Sequence, residues 1–216
     1  MFKKLFTIFL VLFAVNAYGN ELQESIDTAA EIIEDFKNLP EKGIPESILR
    51  KAHGLAILNI IKAGFLVSGR GGVGIVVART SDGWSAPSAI GVGGAGFGLQ
   101  VGAEVTECVI VLNTKAAVDA FKKKGNFILG AELSAVAGPI GRSAEAGVTA
   151  TAATYSYSIS QGLFAGISLE GLVIGERKET NEQFYGKHVT AAELLSGKVA
   201  PPKSAANLYK ALKTYK

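Results

Sequence analysis

The residues best able to do chemistry are few. Two runs, Gly69-Arg70-Gly71-Gly72-Val73-Gly74 and Gly91-Val92-Gly93-Gly94-Ala95-Gly96, carry the Gly-x-Gly-x-x-Gly spacing that lets a backbone approach a pyrophosphate at a helix N-terminus. Neither run leads into a helical pattern. Val73 to Arg79 is rich in valine and isoleucine and runs into Thr80-Ser81-Asp82-Gly83, and no acidic residue stands between Asp82 and Glu104 to hold a ribose. Hairpin glycines account for both runs better than a nucleotide site does. The sequence has no Gly-Lys-Ser or Gly-Lys-Thr phosphate loop and no Gly-x-Ser-x-Gly elbow, and His53 and His188 lack the Cys or carboxylate spacing of a zinc site. Cys108, the single cysteine, lies in the apolar run Cys108 to Leu112 and reads as a small core residue rather than a nucleophile. These patterns assign no catalytic residue, metal or cofactor.

Charged side chains offer binding instead. Glu104, Glu132, Glu145 and Glu170 each sit in strand-like surroundings rich in glycine or alanine. Buried carboxylates there pair with arginines such as Arg70, Arg79 or Arg142 more often than they catalyse. Arg70 and Arg142 lie beside glycines that let backbones approach, so each is expected to fork toward a carboxylate such as Glu145 or Glu170, as a structural or site-lining residue. Lys122, Lys123 and Lys124, with Lys203, Lys210, Lys213 and Lys216 in a tail that has no acidic residue after Glu193, are candidate phosphate contacts at an anionic surface. Solvated lysines at helix ends are the alternative.

The elements that must position these residues follow from spacing. Leu22, Ile26, Ala29, Ile33 and Phe36 mark one face of an amphipathic helix from Glu21 to Leu39, closed by Pro40. Pro45 suits the first turn of a second helix through about Asn59. Short strands are expected at Ala63 to Ser68 and Val73 to Arg79, a hairpin turn at Thr80 to Gly83, and strands at Ser88 to Gly93, Gly96 to Val105 and Glu107 to Leu112. Thr114 can cap a helix that stops at Gly125, with the lysine cluster in its last turn. The alternation in Val148 to Ser160 slips phase near Ala152-Ala153, which reads as a β-bulge, and Gly162 to Ile174 reads as a central strand. A short helix ends in Phe184-Tyr185-Gly186, Thr190 with Glu193 forms a capping box, and a last helix from Ser204 carries Leu208 and Leu212.

With 216 residues the chain allows one domain or at most two small ones, and no repeat or long linker divides it, so residues 20 to 216 are expected to form one domain. Of its 26 glycines, 12 fall between Gly64 and Gly102 without a three-residue period, which excludes collagen and favours bent strands over a helical bundle. Met-Phe-Lys-Lys, an apolar stretch from Leu5 to Val15 and small residues at Ala17 and Gly19 have the three-part pattern of a secretory signal cleaved before Asn20. The competing reading, an uncleaved anchor, is short of the roughly 20 apolar residues a bilayer requires. Cleavage would lower the formal charge from +3 to +1, leaving no bulk charge to argue for nucleic acid. The asymmetry is local, with eight acidic and two basic residues from Asn20 to Ser47.

Taken together the motifs resemble the SYLF-domain family. The likeness rests on Lys51-Ala52-His53-Gly54-Leu55-Ala56-Ile57, Val67-Ser68-Gly69-Arg70-Gly71-Gly72, Trp84-Ser85-Ala86-Pro87-Ser88-Ala89-Ile90-Gly91, Ala137-Gly138-Pro139-Ile140-Gly141-Arg142, Tyr155-Ser156-Tyr157-Ser158 and Phe184-Tyr185-Gly186, and it covers about Ile44 to Leu212. The resemblance implies a non-enzymatic binder of anionic phospholipid or phosphoinositide-like headgroups, without cofactors, in a family that includes lipid-binding and actin-binding adaptors. Combined with the N-terminal pattern, it leads to the expectation of a secreted, bacterial-type member in the periplasm. There, membrane phospholipid would be the partner, actin and nucleic acid would not, and an envelope protein partner without lipid is the alternative.

The expected fold is α+β, a strongly bent antiparallel sheet, barrel-like in the extreme, with flanking N- and C-terminal helices. The expected lipid contacts are Lys122, Lys123, Lys124, Arg70, Arg142, Lys210 and Lys213. Glu145, Glu170, Tyr155 and Tyr157 are expected to be structural or to line the site.

Overall fold

A computed structural model describes residues 21–39, 43–123, 125–139, 152–162 and 171–213. Its framework is one long hairpin. β1 runs unbroken from Gly54 to Thr80 and β3 from Ser88 to Leu112, paired antiparallel from Gly54 opposite Leu112 to Val76 opposite Ser88. A strand of 27 residues would extend about 90 Å at about 3.3 Å per residue, several times the radius of a domain this size, so the ribbon has to bend. It does so at a register shift. Phe65 opposes Val101 while Val67 opposes Phe97, two steps on β1 against four on β3. The ribbon then folds back so closely that a Cβ on Gly74 would overlap the Ile57 carbonyl oxygen and one on Gly72 the Asn59 carbonyl oxygen. The glycine runs that imitate a nucleotide fingerprint lie within these strands, and Gly72 and Gly74 mark the close approach of one half of β1 to the other.

β3 shares one edge with β1 and divides the other. Ile90 to Gly93 pair with β7 (Val173–Glu176), which also pairs with β4 (Asn126–Ile128), while Glu104 to Leu112 pair with β6 (Thr154–Gly162). The short β5 (Ala135–Ala137) runs parallel to β6, and β2 (Gly83–Trp84) closes the hairpin against Arg79 and Thr80. The result is the α+β architecture expected, a strongly curled, half-barrel antiparallel sheet flanked by N- and C-terminal helices.

Both faces of the sheet are covered where the two cores form. Leu55, Ile57, Ile75, Val77, Val109, Val111, Tyr155 and Tyr157 pack under α1 (Glu21–Lys37), α2 (Glu46–Lys51) and α6 (Ala206–Lys213). Ala56, Leu58, Ile60, Val76, Cys108, Ile110 and Leu112 pack against α3 (Lys115–Lys122), β4 and β7. α1 buries Leu22, Ile26, Ile33 and Phe36, each removing apolar surface worth about 1.5–3 kcal/mol. α4 (Lys178–Tyr185), α5 (Ala191–Leu195) and a 3-10 turn (Lys203–Ala205) complete the chain.

Several expected elements differ. The short strands expected at Ala63 to Ser68 and Val73 to Arg79 are parts of the continuous β1, those at Ser88 to Gly93, Gly96 to Val105 and Glu107 to Leu112 are parts of the continuous β3, and α3 ends at Lys122 rather than running on to Gly125. The second helix ends at Lys51 rather than near Asn59, because Ala52 turns extended and Leu55 to Asn59 enter β1. Burial on both faces makes that run continuously apolar, so it shows no strand alternation. The phase slip at Ala152-Ala153 is the bend before β6 begins at Thr154, with residues 148–151 outside the described residues. The proposed strand from Gly162 to Ile174 is not one element: β6 ends at Gly162, residues 163–170 lie outside the described residues, and β7 begins at Val173 after Gly171, whose φ is +76°.

Candidate functional site

The local signals at the helix ends hold. Thr114 Oγ1 accepts from the Ala117 N–H at 3.1 Å, Gly186 closes α4 in the left-handed region at φ +65°, and Thr190 with Glu193 forms the reciprocal capping box. The backbone and side-chain hydrogen bonds from Thr190 hold the Glu193 carboxyl below the ordinary carboxylate range.

The segment Trp84 to Ser88, part of the family likeness, is a structural hub. Ser85 Oγ accepts from the Ala78 N–H at 3.0 Å and donates to the Ala86 carbonyl. The Ser85 carbonyl accepts from Tyr209 Oη at 2.9 Å and the Pro87 carbonyl from Tyr185 Oη at 2.7 Å, which anchors α6 and α4 to one turn. Burial pushes both phenols above the usual tyrosine range, so they stay protonated donors. Asn181, fully buried, accepts from the Ala89 N–H at 2.7 Å and donates to Ser88 Oγ and Glu176 Oε1. The Arg79 guanidinium stacks 4.0 Å from the Trp84 ring centroid.

α1 is pinned at its start by Glu21, whose carboxylate takes a 2.7 Å ion pair from Arg177 and a hydrogen bond from Thr180. Beside it opens a cleft of about 490 Å³, walled by Glu24, Thr28 and Ile32 of α1 and floored by Ile57, Asn59 and Ile61 of β1. The sheet beyond is apolar and exposed: Ile61 is 57% accessible, its cross-strand partner Val105 41%, and Val73, on the returning half of β1, 43%. Glu107 lies opposite Asn59. Its carboxyl is raised above the usual range, first by burial and then by Asp35 and Glu31 of α1. One buried side-chain oxygen of each, Asn59 Oδ1 and Glu107 Oε2, has no hydrogen-bond partner among the described residues.

Among the described residues, the expected lipid contacts do not converge. Lys122 ends α3 and pairs with Asp119 at 3.0 Å, Lys123 is exposed, and Lys124 lies outside the described residues. α3 packs on one face of the sheet and α6, which carries the exposed Lys210 and Lys213, on the other. Lys210 borders a groove with Asp27, Glu31, Glu34 and Asp35 rather than extending a basic surface. Arg70 is half-buried on β1, while Arg142, Glu145 and Glu170 lie outside the described residues. Tyr155 and Tyr157 are core residues. Tyr157 Oη donates to the Pro139 carbonyl at 3.2 Å, and burial raises its phenol.

Of the other groups weighed, Glu132 accepts from the Ile128 N–H in a local turn. Glu104 is buried opposite Lys62, and neither of its oxygens has a hydrogen-bond partner among the described residues. Cys108 is buried, its thiol pushed up to about 12. Sequence reasoning missed Asn59, Glu107, Ile61 and Val105, because only the β1–β3 register and the docking of α1 bring them together.

The described residues thus form a curled antiparallel sheet with an acidic helix over one face and an open cleft beside that helix. The chain belongs to the family described as Ysc84, Las17-binding protein actin regulator, whose model matches residues 93–215. It is 48% identical to the SH3 domain-containing YSC84-like protein 1 of Homo sapiens and to that of Bos taurus, over 93% of this chain and 61% of each relative. It is 46% identical to the LAS seventeen-binding protein 3 of Saccharomyces cerevisiae, over 92% of this chain and 46% of that protein. The chain thus spans about three-fifths of the animal relatives and less than half of the yeast one.

These findings keep the family and overturn its expected setting. The relatives are animal and yeast proteins, and the family is described by actin regulation, which is work of the cytoplasm. The expectations of a secreted bacterial-type member, a periplasmic location and an envelope lipid binder are therefore corrected. So is the expectation that actin is an unlikely partner, since the family's own description names an actin regulator.

Proposed function

We propose that this chain is a non-enzymatic protein-interaction module of actin regulation, which works by holding an actin-regulatory protein partner. The observation that carries the reading is the family match over residues 93–215 to a Las17-binding actin regulator, together with relatives similar along more than nine-tenths of the chain. The geometry agrees with a binding role. An exposed apolar pair, Ile61 and Val105, lies beside an acidic helix, and an apolar patch rimmed by polar groups is a common form of protein-binding surface.

The test uses the full chain. Co-sedimentation with filamentous actin and retention on immobilised Las17 should show saturable binding to at least one of them. Binding to neither would overturn the reading.

A further inference from the structure

Glu104 has no part in the interaction role proposed above. It stands on the face of β3 that also carries Cys108, Ile110 and Leu112, only 1% accessible, and neither Oε1 nor Oε2 has a hydrogen-bond partner among the described residues. Taking a carboxylate out of water without giving it a bond is costly, so two orphaned oxygens at this depth point to a bound group. The flanking strands do not supply it. On β6 the residue opposite is Gly162, which has no side chain, and Lys62, opposite on β1 and itself partnered, forms no ion pair with Glu104 among the described residues.

The next rung of the same face adds oxygens. Thr106, fully buried, shares a 3.0 Å hydrogen bond through its Oγ1 with Ser160 Oγ of β6. One bond between two hydroxyls occupies one lone pair, so the pair still has lone pairs to offer. Residues two apart on a strand face lie about 7 Å apart, and an ion held by oxygens at about 2.3–2.6 Å can bridge that gap to a side chain as long as glutamate. Ser158, the preceding residue of β6 on this face, is exposed and Ser160 is half-buried, so burial deepens from Ser158 through Ser160 and Thr106 to Glu104. Cys108, one rung beyond Thr106, offers no thiolate to a softer metal, because burial pushes its thiol up to about 12.

We propose that Glu104, Thr106 and Ser160 hold a hard, oxygen-seeking cation, the carboxylate supplying the charge and the hydroxyls the neutral oxygens. Sodium, potassium, calcium and magnesium share this chemistry. One carboxylate among neutral oxygens sets an affinity on the order of 1 mM. The bound ion ties β3 to β6 and is independent of the interaction-module reading.

The test follows the melting temperature of the full chain as each of the four chlorides is titrated, with choline chloride holding the ionic strength constant. At about ten times its dissociation constant, at least one of the four should raise the melting temperature by about 2–5 °C, and the rise should saturate. Glu104→Gln, which keeps the shape and removes the charge, should lose the cation-dependent rise whatever its own melting temperature. Thr106→Val, which removes one oxygen and keeps the shape, should weaken the cation's affinity about tenfold. Glu132→Gln, at an exposed carboxylate, should leave the rise unchanged. No saturable rise with any of the four cations would overturn the site and leave buried water as the partner of Glu104. An unchanged rise in Glu104→Gln would also overturn it, as would an unchanged affinity in Thr106→Val, which decides the matter if the glutamine variant does not fold.

Discussion

Asn59 and Glu107 oppose each other across β1 and β3, and each holds one buried side-chain oxygen without a hydrogen-bond partner among the described residues. Two acceptors face to face give up solvation without gaining a bond, and the nearby Asp35 and Glu31 carboxylates add repulsion. The fold tolerates this pair at a cost, so it is the place where a conservative change should improve stability.

Glu107→Gln should raise the melting temperature at neutral pH. In the folded chain the Glu107 carboxyl binds its proton more tightly than at its ordinary value of 4.5, so stability falls as pH rises from that value through the raised one, and the whole penalty is present above it. The gain from Gln should therefore shrink as pH is lowered through 4.5 to about 3, where the carboxyl is protonated in both states. Melting curves across that range decide the matter, and a gain that ignores pH would count against the electrostatic account.

Gly74→Ala should destabilise by about 1–3 kcal/mol, because the added methyl would meet the Ile57 carbonyl oxygen in the folded-back ribbon. Gly69→Ala, where a Cβ meets nothing within 4 Å, should be near neutral. Urea unfolding of the two variants compares them directly; equal losses would mean that close approach is not what glycine supplies at Gly74.

Asn181→Ala should cost about 2–3 kcal/mol, since it strips partners from the Ala89 N–H and Ser88 Oγ in a fully buried site. The midpoint of chemical denaturation is the measurement, and a shift no larger than that of an exposed substitution would refute the hub at Trp84 to Ser88.

Cys108 should resist thiol reagents in the folded chain even at mildly alkaline pH, with its thiol pushed up to about 12 by complete burial, and react freely once unfolded. Rapid labelling under native conditions would contradict the position of its strand between two covered faces.

What the sequence disclosed was local. The α1 stripe, the Thr114 and Thr190 caps and the Gly186 helix end each depend on residues a few places apart, and each is found as expected. The length of β1 was hidden for two opposite reasons: Leu55 to Leu58 is buried on both faces and loses its alternation, whereas Gly69 to Gly74 resembles a break yet continues the strand. The site was less legible still. Glu107 meets Asn59 across 48 positions of chain, and the separation of Lys122 from Lys210 depends on which face each helix covers.

α1 and α6 pack into the same core, and Gln23 Nε2 donates to the Ser204 carbonyl across 181 residues of chain. A ribosome builds from the N-terminus, so the apolar stripe of α1 emerges well before its partner Leu208, with the whole of the sheet made in between. Such long-range closure is slow and leaves apolar surface open in the meantime. The nascent chain should need shelter from aggregation until α6 arrives, and a ribosome stalled before Ala206 would hold a chain with its first helix only partly covered.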